Sequence, residues 1–169
     1  MHILLTRQLQ DSKDLIQKFK SNGFKVSNLP LLEINKSDYN EIKIYNYNAI
    51  IFTSSNAIRF LDIKKVNKNI LCFCVGTSTE KTARSNGFFN IFAADGNVRN
   101  LIELVRQNLS PKDNKLLYVS GEVISHPLDK ELISEGYNVV RLIDYTVKYN
   151  ENLDFKFLET LKKDIPNIV

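Results

Sequence analysis

One local device occurs three times along this chain: Ser21-Asn22-Gly23-Phe24, Ser85-Asn86-Gly87-Phe88 and Ser134-Glu135-Gly136-Tyr137. In each, a glycine able to take the left-handed conformation follows an amphipathic stretch. An aromatic residue comes next and packs back on the helix just ended. A chain that leaves three helices in the same way is built from repeated helix-to-strand units. The apolar runs between them are short and unbroken: Ile3–Leu5, Ala49–Phe52, Ile70–Val75, Ile91–Phe92, Leu116–Val119 and Val139–Ile143. Strands apolar on both sides require helices over both faces, which a parallel sheet in an α/β fold provides. The helical faces recur at the matching period: Leu15, Ile16 and Phe19; Ala57, Ile58 and Leu61; Val98, Leu101, Ile102, Val105 and Leu109; Leu128, Leu132 and Ile133.

Two segments break the pattern. Leu31–Lys36 and Ile143–Tyr149 alternate apolar and polar residues, the period of a strand with one face in water. They read as an outgoing and a returning linker strand, 31–36 and 143–150. On this reading residues 37–142 form an inserted α/β domain, and residues 1–30 belong with 151–169. The second piece holds one helical face (Leu153, Phe157, Leu158, Leu161), then Pro166 and the start of another apolar strand. Two strands and two helices are too few for a doubly wound sheet with its own core. The expected fold class is therefore α/β: two doubly wound parallel-sheet, flavodoxin-like domains joined by a two-stranded linker, the discontinuous first one incomplete and the chain truncated.

Several functional classes are set aside on composition. No apolar run approaches the length of about eighteen residues that a membrane helix needs, and Met1–Thr6 lacks the basic region of an export signal. A cytoplasmic protein is expected. The net charge of +4 is spread over lysines along the whole chain, with no basic stripe interleaved with aromatics, so no nucleic-acid partner is expected. Cys72 and Cys74 fall on one face of one strand and read as core. A disulfide between them would be badly strained, and the two histidines, His2 and His126, do not complete a metal site, so no metal is expected.

In a parallel sheet, ligands meet the carboxyl ends of the strands, where helix N-termini present unpaired N–H groups. Five turns qualify: Thr6-Arg7-Gln8, Thr53-Ser54-Ser55-Asn56, Gly76-Thr77-Ser78-Thr79, Ala94-Asp95-Gly96-Asn97 and Ser120-Gly121-Glu122. Each is also an ordinary helix-capping sequence, and one turn alone favours that plainer reading. Together, with Gly76 and Gly121 allowing close backbone approach, they suit a small polyanion. Neither the dinucleotide nor the P-loop glycine fingerprint is present, and no G-x-S-x-G nucleophile elbow occurs. His126, beside Pro127, reads as a solvent-facing residue where a helix begins.

In order along the chain, Leu4-Leu5-Thr6-Arg7, Asn48–Ala57, Val75–Thr79 with Ala83 and Gly87-Phe88, Gly96-Asn97 with Leu101, Leu117–Glu122 and Tyr145-Thr146 resemble the uroporphyrinogen-III synthase family. The resemblance spans essentially the whole chain. It implies two α/β domains joined by a two-stranded ladder. The implied enzyme is a lyase that folds linear hydroxymethylbilane, inverts its last pyrrole ring and closes the macrocycle with loss of water, without a metal or organic cofactor. The substrate bears eight carboxylates, which suits a cleft of helix N-termini and backbone N–H groups.

Carried over onto matching positions, the resemblance makes Tyr145 the catalytic residue. A phenol keeps its proton at neutral pH and can give it to the departing hydroxyl of the substrate. Arg7, Thr53, Ser54, Asn56, Gly76, Thr77, Thr79, Gly121 and Glu122 become the substrate-binding residues, and the protein a monomer. Family members continue with further βα units forming the opposite wall of the cleft. Two other readings stand beside the enzyme: an inactive truncated remnant that binds tetrapyrroles or a partner, and an unrelated receiver domain, whose acidic pair and late lysine the turns here lack.

Overall fold

The computed structural model describes residues 1–39, 46–112 and 115–169. All three recurrent turns take the expected form. Gly23, Gly87 and Gly136 have φ of 78°, 86° and 90°. In each, the aromatic N–H reaches back five residues, Phe24 to the Phe19 carbonyl (3.1 Å), Phe88 to Ala83 (3.2 Å) and Tyr137 to Leu132 (3.0 Å). This is the hydrogen bond of the Schellman turn, and it satisfies helix-end carbonyls that would otherwise be orphaned. The rings are anchored differently, and of the three contacts that follow only that of Phe24 is with the helix just ended. Phe24 meets Phe19 edge-on at 6.1 Å, Phe88 meets Phe52 at 5.8 Å, and the buried Tyr137 hydroxyl donates to the Leu109 carbonyl at 3.0 Å.

The chain divides into two compact units, Met1–Asn35 with Val147–Val169, and Lys36–Thr146. The first holds β1 (His2–Leu5), α1 (Leu9–Ser21), β2 (Lys25–Asn28) and α6 (Phe155–Lys163). β1 and β2 pair in parallel, and a parallel bridge from Ile3 to Ile168 lies along β1. His2 is buried, its Nε2 2.8 Å from Ser27 Oγ and its Nδ1 2.9 Å from the Asp164 carbonyl, so it ties β1 to β2 and to the end of α6. Among the apolar side chains of this unit only Ile3 is buried, while Leu9, Phe155, Ile165 and Val169 are exposed.

The second unit carries the core. Its strands are β4 (Ala49–Phe52), β5 (Leu71–Val75), β6 (Ile91–Ala94), β7 (Lys115–Gly121) and β8 (Asn138–Tyr149), the last running on into the first unit. Between them lie α2 (Ser55–Phe60), α3 (Gly76–Ser85), α4 (Val98–Asn108) and α5 (Leu128–Ser134). The sheet order is β3-β8-β7-β4-β5-β6, with β3 spanning Leu32–Lys36. From β4 through β8 the pairings are parallel. Alternate residues divide the core between the two faces. Ile50, Phe52, Cys72, Cys74, Leu117 and Val119 pack with residues of α2 and α3. Ala49, Ile51, Phe73, Leu116 and Tyr118 pack with residues of α4 and α5. The doubly wound α/β class stands, and the five parallel strands follow the order 3-2-1-4-5 where flavodoxin has 2-1-3-4-5.

One boundary differs from the sequence reading, which separates a buried strand Val139–Ile143 from a half-exposed linker strand Ile143–Tyr149. The structure makes them one strand, β8, whose neighbour changes along its length. Its first half pairs with β7. Further on, the Ser37 N–H donates to the Asp144 carbonyl and the Asn150 N–H to the Leu31 carbonyl, both at 2.9 Å. One residue number falls as the other rises, so β3 runs antiparallel to β8. The change in apolar pattern marks a change of partner along a continuous strand. Cys72 and Cys74 are free, buried and 3.7 Å apart at sulfur. Their mutual contact and burial hold the Cys72 thiol well above its ordinary range, which leaves it unreactive.

Candidate active site

The strand order determines where a crevice opens. From β4 the chain moves through α2, β5, α3 and β6 toward one edge, then returns by α4 on the other face to place β7 beside β4. The carboxyl ends of β4 and β7 are thus a topological switch point, the position at which open α/β sheets bind ligands. A pocket of about 180 Å³ lies there, lined by Thr53 and Ser54 after β4, Tyr118 and Gly121 of β7, Tyr145 of β8, Val98 at the start of α4, and the loop Val123–His126. It adjoins a second hollow of about 250 Å³ between Asn97–Arg99 and Ser125–His126. Each is smaller than the ~300–1,000 Å³ typical of a whole small-molecule site, so either suits one ring and its polar arms. A larger hollow of about 440 Å³ in the first unit, along Glu33, Lys148, Tyr149, Glu151 and Asn152, is set aside because Tyr149 is 82% exposed and no phenol or hydroxyl is held there in a fixed geometry.

Tyr145 owes its position to a bulge. The β7–β8 register moves from Ser120↔Ile143 to Gly121↔Tyr145, leaving Asp144 as the extra residue. The Tyr145 ring then lies directly on Gly121, where a Cβ would stand 2.5 Å from Cε2 and 2.6 Å from Cζ. Only glycine leaves room. On its other side the ring packs against Phe60 at 6.1 Å. The turn beneath is fixed from two directions: the Glu122 N–H donates to the Tyr145 carbonyl at 2.9 Å, and Arg141 grips the same stretch. Arg141 Nε donates to Ser120 Oγ at 2.9 Å, and its Nη2 donates to the Gly121 and Glu122 carbonyls at 2.7 and 2.8 Å.

A second phenol shares the pocket. Tyr118 is buried, with its hydroxyl 3.3 Å from Thr53 Oγ1 and the Arg141 guanidinium over its ring at 6.0 Å. Burial pushes the Tyr118 hydroxyl above the usual phenol range, so it keeps its proton. Sequence reasoning missed Tyr118 and Arg141. Tyr118 sits inside an apolar run that reads as core, and nothing local to Arg141 marks it as the grip on a turn twenty residues away. His126 is a correction: it lines both hollows and its Nε2 lies 2.6 Å from Glu131 Oε2, so it faces the crevice and is only 29% exposed.

Of the residues singled out from the sequence, Thr53, Ser54, Gly121 and Tyr145 line the switch-point pocket and the others do not. Ser54 also caps α2, accepting from the Asn56 N–H at 3.2 Å, and Asn56 in turn accepts from Arg59 at 2.8 Å. Gly76, at φ 78°, opens α3, whose N-terminus has no side-chain cap. Thr77 beside it is exposed, and Thr79 is buried toward the core. Glu122 is exposed and serves the site through its backbone. Arg7 belongs to the first unit, where it is exposed and its carbonyl accepts from Asn28 Nδ2 at 2.9 Å. The capping reading accounts for Ser54 and Asn97, the latter accepting from Arg99 and Asn100, and does not account for the α3 turn.

Asp144 is fully buried, and neither carboxyl oxygen has a partner among the described residues. Burial pushes its pKa up to about 8, against a smaller opposing pull from its own backbone and Lys36. Because the folded value lies above the unfolded one, the folded chain binds the extra proton. The contribution of this carboxyl to stability is then full at low pH and is lost as pH rises toward about 8, by ~1.4 kcal/mol per pH unit within that window. Urea unfolding of Asp144→Asn between pH 4 and pH 8 is expected to show this decline largely removed. An unchanged slope would place the proton elsewhere.

Residues 13–169 match the family model described as uroporphyrinogen-III synthase HemD. Uroporphyrinogen-III synthetase from Helicobacter pylori 26695 superposes with a TM-score of 0.62 at 20% identity, covering 99% of this chain and 70% of that one. A mutant uroporphyrinogen III synthase from the extremely thermophilic bacterium Thermus thermophilus superposes with a TM-score of 0.56 at 14% identity, covering 96% and 69%. At these identities the likeness is one of fold. No curated protein matches.

Proposed function

The chain belongs to the uroporphyrinogen-III synthase family, and from that premise we infer that its switch-point pocket takes part in closing hydroxymethylbilane to uroporphyrinogen III, with inversion of the last pyrrole ring and loss of water. The family implies an enzyme of tetrapyrrole biosynthesis acting on a small molecule. The observation that carries the finer reading is the placement of the Tyr145 phenol, held against Gly121 by the β8 bulge and lining a ring-sized pocket at the carboxyl ends of β4 and β7.

In this reading one pyrrole enters the pocket and Tyr145 gives its proton to the hydroxyl leaving the hydroxymethyl carbon, so that water departs in place of hydroxide. Thr53, Ser54 and the uncapped start of α3 at Gly76 and Thr77 offer hydroxyl and N–H donors to the acid arms. Asn56, Thr79, Glu122 and Arg7 then contribute through local structure or from outside this pocket. Positioning does much of the work, since the linear chain must be held in a conformation that reaches the inverted closure. No cofactor and no nucleic acid enter the scheme. Among the described residues no helix is long and apolar enough to cross a membrane. We place the activity in the cytoplasm and in a monomer.

The test is an assay in which hydroxymethylbilane is generated in situ and the III and I isomers of uroporphyrinogen are separated. The III isomer is expected to form faster than the spontaneous background. Formation of the I isomer alone, at the rate seen without protein, would overturn catalysis by this chain and leave the binding-module reading.

A further inference from the structure

The two adjoining hollows meet at His126, the one imidazole in the second unit. Its Nε2 is tied to Glu131 Oε2 at 2.6 Å, and the other Glu131 oxygen accepts from Arg106 Nη2 at 3.1 Å. Glu131 is thereby held from behind by a guanidinium while it orients the ring in front. A carboxylate bound to one imidazole nitrogen sets the ring's tautomer and orientation. The other nitrogen, Nδ1, is the one left to meet a molecule in the crevice. Tyr145 lines the same pocket. One small chamber therefore carries a phenol and a carboxylate-braced imidazole, two groups that handle protons differently. A phenol holds its proton at neutral pH, and an imidazole can accept one there.

The proton balance of the proposed reaction calls for both. Closing a ring with loss of water removes a hydroxyl from the hydroxymethyl carbon and a hydrogen from the pyrrole carbon that receives the final carbon–carbon bond. The C–O bond breaks as a proton is placed on its oxygen. The C–H bond breaks afterwards, its electron pair returning to the pyrrole ring and its proton going to a base. Tyr145 supplies the first proton. Resting on the function proposed above, we propose that His126 is a second catalytic residue, the base that takes the proton from that pyrrole carbon, with Glu131 as its positioning residue. Return of the proton from His126 to Tyr145 through solvent completes the cycle, and one water is released.

Three measurements test this. His126→Gln is expected to lower kcat for the III isomer by about 10²–10⁴-fold with KM nearly unchanged. Bilane carrying deuterium on the free α-carbon of its last pyrrole should then react more slowly with the variant than protiated bilane does, since C–H cleavage has become limiting. Added imidazole should restore part of the rate to His126→Ala, which a structural role for the ring would not allow. A His126→Gln enzyme with kcat within about twofold of the parent, well short of the loss expected for a proton-transfer group, would overturn the proposal. Should the unaltered chain show no III-isomer activity, the function proposed above fails and His126 is judged by NMR. The chain has 2 histidines, so His2, in the other unit, is an internal reference. Movement of the His126 ring-proton signals alone on adding hydroxymethylbilane supports its place in the binding crevice. Signals of both histidines unmoved by saturating bilane would overturn it.

Discussion

Tyr145→Phe is expected to slow formation of the III isomer by about 10²–10⁴-fold, the range that a positioned proton donor contributes. The substitution removes one hydroxyl and keeps the ring, so the contacts with Gly121 and Phe60 that hold the residue in place survive. Stability should change by less than about 1 kcal/mol, the net worth of one ordinary hydrogen bond at most. Substrate should still bind, and the loss should fall in kcat. A rate unchanged by the substitution, measured on the separated isomers, would remove Tyr145 from the chemistry and leave it as packing.

Gly121→Ala should produce a loss of comparable size by a different route. The added methyl would occupy a point 2.5 Å from Tyr145 Cε2, far inside van der Waals contact, so the ring must leave its seat. It cannot be relieved by moving the strand, because Arg141 holds the Gly121 carbonyl at 2.7 Å and the Glu122 N–H holds the Tyr145 carbonyl at 2.9 Å. Overpacking of this kind typically costs about 1–3 kcal/mol. Combining Gly121→Ala with Tyr145→Ala should return much of that stability while activity stays low, a non-additive pair that reports direct contact. Equal stability of Gly121→Ala and the parent in urea, with full activity, would show that the ring has another seat.

The parts of this fold that were legible in the sequence are those encoded locally. The three Ser-x-Gly-aromatic turns, the unbroken apolar strands and the helical faces each declare themselves within a few residues, and the structure realises all three turns at left-handed glycines. Strand order was not legible, because it depends on which face each crossover takes, and that is settled only when the helices pack. The switch point follows from strand order, so the pocket could be narrowed to five turns and no further. Within it, Thr53, Ser54, Gly121 and Tyr145 lie on turns or strands whose sequence carried a resemblance. Tyr118 was hidden by its apolar neighbours. His126 was hidden by its spacing from Glu131, since five residues across the start of a helix is not one of the separations at which side chains habitually meet.

The interrupted first unit has a consequence for the order in which this molecule acquires its shape. Its two pieces, Met1–Asn35 and Val147–Val169, are separated in sequence by the whole of the second unit. The second unit is contiguous and closes its own ends, with Ser37 N–H bound to the Asp144 carbonyl at 2.9 Å. Before it folds, the pieces of the first unit are joined by a long flexible loop, and bringing them together carries that loop's entropy. Once it folds, the loop is gone. The connectivity therefore favours an order in which the inserted unit forms first and brings β1 within reach of Ile168 at a smaller entropic cost.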